Sequence, residues 1–94
     1  METLAVVVNG DSMWPTLNDG DTVVVTPYSG EQLEVGNLVV FHDPREPTRI
    51  CIKRLKRIDS DGYFVEGDNP DPTASTDSHN YGTIGKESII GFKR

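Results

Sequence analysis

The segment Gly10-Asp11-Ser12-Met13-Trp14-Pro15-Thr16-Leu17 places a serine, a glycine, a proline and bulky apolar residues directly after a strand-like run. A serine at such a strand end, in a turn stiffened by Pro15, can be held exposed for nucleophilic attack. Backbone N–H groups of the same turn can serve as an oxyanion hole. The plain alternative is that Ser12 caps a short helical turn over Met13–Leu17. A nucleophilic serine needs a base, and Lys53 can supply one if its amine is neutral. A free lysine has a pKa of about 10.4, which must fall by roughly 2–3 to work near neutrality, a differential interaction of roughly 3–4 kcal/mol. Burial in apolar surroundings and a neighbouring cation both act in that direction. In an alternating strand Lys53 shares a face with Cys51 and Leu55, which would desolvate it. Arg54 and Lys56 point the other way, beside Ile52 and Ile58. Arg57 falls on the Lys53 face as well and spoils a clean pattern.

The remaining reactive side chains point to less. His79 stands among Asp68, Asp71 and Asp77, and His42 is far from it in sequence. Two or three carboxylates with one histidine fit no compact ligand pattern, so a polar surface loop is the preferred reading and no metal site or cofactor is expected. A Ser-His-Asp triad is available on inventory alone, which is weak evidence. Cys51, between Ile50 and Ile52, reads as a small core residue rather than a nucleophile.

Strands must position these groups. Thr3–Val8, Thr22–Thr26, Asn37–His42, Arg49–Ile58, Tyr63–Glu66 and Glu87–Lys93 all read as strands, and helical periodicity is nearly absent. Turn signals separate them, and Asp59-Ser60-Asp61-Gly62 between two alternating runs predicts a hairpin. Asn69–Tyr81 is the longest stretch without a predicted element, of a length usually functional or disordered. Many short strands at close spacing predict an all-β barrel or sandwich.

Length and charge narrow the class. The chain has 94 residues, 35% of them hydrophobic, which predicts a single domain, 1–94, with a small core. No apolar run is long enough for a transmembrane helix, and the N-terminus does not read as a signal peptide. The single cysteine allows no internal disulfide. Together these predict a soluble, cytoplasmic protein without a membrane anchor. The net charge of −6 argues against general nucleic-acid binding. Five of the nine basic residues nevertheless fall between Arg49 and Arg57, a run that reads as a solvated strand face able to hold one functional amine.

At these residues the chain resembles the type I signal peptidases. Gly10–Leu17 is similar to their nucleophile box, S-M-x-P-T-L. Gly20-Asp21 followed by Val23–Val25 resembles the next stretch. Val35–Phe41 resembles the G-D-(I/V)-V segment, with Asn37 where Asp is usual. Ile52-Lys53-Arg54-Leu55 resembles the box of the general-base lysine. Gly67-Asp68-Asn69 with Ser75–Gly82 resembles the box G-D-N…S-x-D-S-R-x-x-G, and Ile89-Ile90-Gly91 the closing I-(I/V)-G. The resemblance covers nearly the whole chain. It implies a small LexA/signal-peptidase-like β-barrel or coiled sheet, a minimal catalytic core. In it Ser12 would be the acylating nucleophile, its N–H an oxyanion donor, and Lys53 the general base. Ser78 would orient the lysine amine with Asp77 beside it, and the turn of Gly67 and Asp68 would support the site. Gly10, Asp11, Met13, Trp14 and Pro15 would flank the substrate. His79 stands where the family has Arg, which puts a salt bridge to an acid such as Asp68 in doubt. Gly10 stands where one branch has a serine that assists the oxyanion hole. Fourteen residues separate Lys53 from Asp68, where many members carry a large insertion.

Within that family the compact length and the Ser75–Ser78 stretch most resemble the maturation proteases of nickel-type superoxide dismutase. This implies a protein precursor with an N-terminal extension as the partner, and no cofactor of the enzyme's own. Three other readings stand beside it. One is a general secretory signal peptidase core. The second is a LexA-type self-cleaving domain, although the eleven residues before Ser12 contain neither an Ala-Gly nor a Cys-Gly pair. The third is a catalytically silent binding module of the same fold.

Overall fold

The computed structural model describes residues 2–94. Six strands form one antiparallel sheet: β1 (Leu4–Val7), β2 (Thr22–Pro27), β3 (Leu38–His42), β4 (Ile50–Asp59), β5 (Gly62–Glu66) and β6 (Ile89–Lys93). Their spatial order is β1-β2-β6-β3-β4-β5, so β1 and β5 are the ends of the sheet. Strand β2 pairs with β1 through Thr22–Val25 and with β6 through Thr26 and Pro27. One strand thus passes from one ladder into the next, which coils the sheet. The all-β class predicted from the strand pattern is the one observed.

Strand β3 explains where the core sits. Its residues Leu38, Val39, Val40 and Phe41 are all buried, which an apolar run achieves only when both faces of the sheet are covered. Val39 and Phe41 pack on one face with Leu33, Leu55, Val65, Ile84, Ile89 and Phe92. Leu38 and Val40 pack on the other with Val8, Met13, Val23, Val25 and Ile52. Each fully buried side chain of this size contributes roughly 1.5–3 kcal/mol.

Three local expectations are corrected. Ser12 does not cap a helix: Met13–Leu17 is a single turn, closed by the Leu17 N–H on the Met13 carbonyl at 2.9 Å, and the Ser12 hydroxyl is engaged by Lys53. The Asn69–Tyr81 stretch is built rather than featureless. It holds a 3-10 turn at Pro72–Ala74, capped by Asp71, and a one-turn helix α1 (Ser78–Tyr81), capped by Asp77. Arg57 does not share the Lys53 face. The pairing runs from Leu55↔Val65 to Arg57↔Phe64, so one extra residue on β4 bulges and flips the alternation. Arg57 turns with Phe64 and lays its guanidinium over that ring at 4.4 Å. The predicted hairpin is present, with Asp59 opposite Gly62.

Candidate active site

The loop after β1 is tied down on both sides of Ser12. The Val8 N–H donates to the Asp21 carbonyl and the Gly20 N–H to the Val8 carbonyl, each at 2.8 Å. Gly10 adopts φ +86°, a conformation natural to glycine, and its N–H donates to Asp19 Oδ1 at 2.6 Å. Beyond Ser12 the turn folds back, with the Trp14 N–H on the Asp11 carbonyl at 3.1 Å. That closure rolls Met13 inward, where it is fully buried in the core.

A second turn, Gly67-Asp68-Asn69, presses on the same loop. The Asn69 N–H donates to the Ser12 carbonyl at 3.0 Å and Asn69 Nδ2 to the Asp11 carbonyl at 2.8 Å. The approach is close enough that a Cβ on Gly67 would lie 2.6 Å from the Ser12 carbonyl oxygen. Only glycine fits there.

Lys53 reaches Ser12 from β4. Its Nζ stands 2.7 Å from Ser12 Oγ, with the amine donating to the hydroxyl oxygen. Lys53 pairs with Val39 across the ladder and is only 6% exposed. Burial lowers the pKa of the amine, and the Arg49 guanidinium adds to that; Cys51, Asp77 and Asp43 act the other way but do not reverse it. A neutral amine can accept the Ser12 proton, reversing the hydrogen bond. Burial also raises the Cys51 thiol, as a core reading of that residue requires.

The supporting residues divide their work. Asp77 caps α1 through the His79 N–H, and its other oxygen accepts from the Gly67 N–H and from Ser75 Oγ, each at 3.0 Å. Ser78 is buried, and its hydroxyl oxygen accepts the Val65 N–H at 2.8 Å, so it holds β5 rather than contacting the lysine amine. Asp68 is gripped by Arg54, Nη2 to Oδ2 at 2.6 Å and Nε to Oδ1 at 3.2 Å. Burial alone would raise the Asp68 carboxyl. The hydrogen bonds from Arg54 and Thr16 and the Arg54 charge outweigh it and hold the carboxyl below its ordinary value. His79 pairs instead with Glu66 at 2.9 Å and stands edge-on to Phe64. The acids near His79 are thus each engaged in a separate structural bond.

A cleft of about 770 Å³ opens beside the pair. One wall is β1 and the segment running to Ser12; the other is Arg49–Lys53, with Thr73–Thr76 along the rim. Gly10 and Asp11 line it. Met13, Trp14 and Pro15, expected to flank the substrate, do not line this cleft: Met13 is a core plug, and Trp14, 47% exposed, lies outside the cleft wall.

The profile described as Peptidase S24-like matches residues 1–91. The chain belongs to the Peptidase S24-like family. It is also similar to the "Mitochondrial ATP-independent inner membrane protease subunit 1a" of Arabidopsis thaliana, 29% identical over 109 residues. That match covers 89% of this chain and 64% of the relative, so the chain spans less than two thirds of the relative's length. Among the described residues of this S24-like chain, no helix is long and apolar enough to cross a membrane.

The S24-like arrangement can perform acyl transfer: a serine hydroxyl beside a buried amine, a backbone turn for an oxyanion, and a cleft for an extended chain. Two residues of this site carried no assignment from sequence. Asn69 is the middle of the structure's clamp on the serine loop, and Arg54 holds the turn that bears it. Asn69 carried a signal in its place beside the Gly67-Asp68 turn, whereas Arg54 reaches that turn only through the pairing of β4 with β5.

Proposed function

We propose that the chain is a serine endopeptidase with a Ser12–Lys53 dyad that removes an N-terminal extension from a protein precursor. The observation that carries this reading is the 2.7 Å approach of a buried lysine amine to the Ser12 hydroxyl. The neutral Lys53 amine takes the Ser12 proton as Oγ attacks the scissile carbonyl. The oxyanion forms against the Ser12 N–H, which costs no reorganisation in a preformed turn. The Lys53 ammonium then protonates the leaving amine, the C–N bond breaks, and an ester on Ser12 remains. Lys53 deprotonates a water that attacks the ester, and Ser12 recovers its proton. Asp77, Ser78, Gly67 and Asp68 act as the scaffold of the two reacting groups.

The substrate lies in the cleft as an added strand. Strand β1 is a sheet end, and among the described residues Ile50–Lys53 pair only with β3, because the β5 pairing begins at Arg54. Both walls therefore offer unpaired backbone edges, the condition for strand addition. The relative's printed name, a protease subunit, agrees with proteolysis.

The precursor we propose is that of nickel-type superoxide dismutase. Its nickel site uses the mature N-terminal amine together with cysteine thiolates, and a peptide-bonded nitrogen cannot offer a free amine. Cleavage must precede metal loading. The test is intact-mass analysis of that precursor, and separately of a secretory signal-peptide precursor, after incubation with wild type, Ser12→Ala and Lys53→Ala. One new N-terminus on the dismutase precursor, lost in both variants, is expected. Cleavage of the secretory precursor alone would move the protein to the secretory reading. Cleavage of neither would leave a silent binding module, and cleavage that survives both substitutions would remove the dyad.

A further inference from the structure

The Asp11 carbonyl and the Ser12 N–H belong to one planar trans peptide, so they point in opposite directions. Whatever holds the carbonyl aims the N–H. Two donors hold it: the Trp14 N–H from within the turn at 3.1 Å and Asn69 Nδ2 from outside at 2.8 Å. The Asn69 amide cannot turn freely, because its Oδ1 accepts the Asp71 N–H at 2.8 Å. Its backbone N–H fixes the next carbonyl, that of Ser12. Among the described residues the Ser12 N–H itself has no hydrogen-bond partner, which leaves it free for an incoming oxygen.

We propose that Asn69 is the positioning residue of the oxyanion site: its side-chain amide orients the Asp11–Ser12 peptide so that the Ser12 N–H meets the developing negative charge. The inference rests on the Ser-Lys reading above. Asn69 does not touch substrate. It acts through a peptide plane, and a misplacement of about 1 Å at such a point can cost about 100-fold in rate.

The Asn69→Asp variant keeps the shape and the bond from Asp71 but sets a carboxylate oxygen, without a proton, opposite the Asp11 carbonyl. On the cleaved precursor, kcat should fall by about 10- to 100-fold with KM within about twofold. A peptide aldehyde ending at the cut site separates positioning from plain structure. Its carbonyl carbon bonds to Ser12 Oγ, the serine proton passes to Lys53, and the hemiacetal oxygen occupies the oxyanion site. Aldehyde affinity should fall by the same factor as kcat, while the N-terminal product peptide, which forms no oxyanion, binds as before. Unchanged kcat, or equal losses for aldehyde and product peptide, would overturn the proposal. If Asn69→Asp does not fold, Asn69→Ser keeps the backbone bond and shortens the donor, and the same comparison applies. Cleavage that persists in Ser12→Ala or Lys53→Ala defeats the Ser-Lys reading. Inactive dyad variants beside a fully active Asn69→Asp defeat only the role of Asn69.

Discussion

Lys53 and Arg54 are neighbours in the chain and leave β4 on opposite faces. The Lys53 amine is buried against Ser12, while the Arg54 guanidinium clamps Asp68 and donates to the Gly36 carbonyl at 2.9 Å. Strand alternation alone produces this division. One face receives the amine that, as the proposed general base, must lose its charge to act. The other receives a cation that keeps its charge and holds the turn carrying Asn69.

The first prediction concerns that depressed lysine. With Lys53 as the proposed general base, activity requires the neutral amine, so kcat/KM should rise with pH through an inflection below the ordinary lysine value of about 10.4. Stability carries the same sign. The unfolded lysine binds its proton more tightly than the folded one, so this group costs stability below its folded pKa. The cost disappears as pH rises from that value to the unfolded one. Lys53→Met should therefore unfold at a higher temperature than wild type at pH 7, with the difference shrinking at high pH. Its cleavage rate should be lower by at least about 1,000-fold. Thermal melts and rate profiles across pH check both halves.

The Arg54–Asp68 pair makes the second. The side chains are 24% and 11% exposed, so this ion pair is neither fully buried nor freely screened. Removing one partner strands the other and should cost about 2 kcal/mol, or roughly 8–16 °C in melting temperature for a domain of this size. Asp68→Asn and Arg54→Met should each show it, and the double variant should lose clearly less than the sum. Because Arg54 and Thr16 hold the Asp68 carboxyl low, this contribution is present above the ordinary carboxylate value and fades as pH falls through the depressed one. Melts of the four proteins at pH 7 and at acid pH measure it.

Much of this fold was legible because its signals are local. The strands follow alternating apolar residues, and the Ser12 and Lys53 boxes carry distinctive residue types. The errors came where tertiary structure overrules a local pattern. The bulge in β4 is set by its pairing with β5, so sequence alternation carried Arg57 to the wrong face. Ser12 has the look of a helix cap because a hydroxyl before a turn is the cap signal. Its actual partner lies 41 positions away. His79 drew attention as a substitution for Arg, yet Asp68 is satisfied from β4 by Arg54, which no spacing rule connects to it.

Gly67 supports a third prediction. A methyl group there meets the Ser12 carbonyl oxygen at 2.6 Å and the Ser75 side chain. The Ser75 side chain can be removed, but the carbonyl belongs to the Ser12 loop. Gly67→Ala should destabilise by about 1–3 kcal/mol and lower kcat. Gly67→Ala with Ser75→Gly should recover part of the stability and little of the rate. Equal recovery of both would show that only the Ser75 contact mattered. Paired melts and initial rates of the two variants decide it.

Met13 and Trp14 are consecutive and predict opposite outcomes. Met13 is fully buried among Val8, Val23, Val25 and Leu38, while Trp14 is 47% exposed and outside the cleft wall. Met13→Ala removes a core plug and should cost about 2–5 kcal/mol. Met13→Leu nearly conserves volume and should cost less than about 1.5 kcal/mol. Neither change should move KM at temperatures well below the melt, because the side chain faces the core and not the substrate. Trp14→Ala should leave both stability and kcat/KM for a short peptide nearly unchanged. A large KM increase in Met13→Leu at unchanged stability would place Met13 in substrate binding and would contradict the packing observed around it.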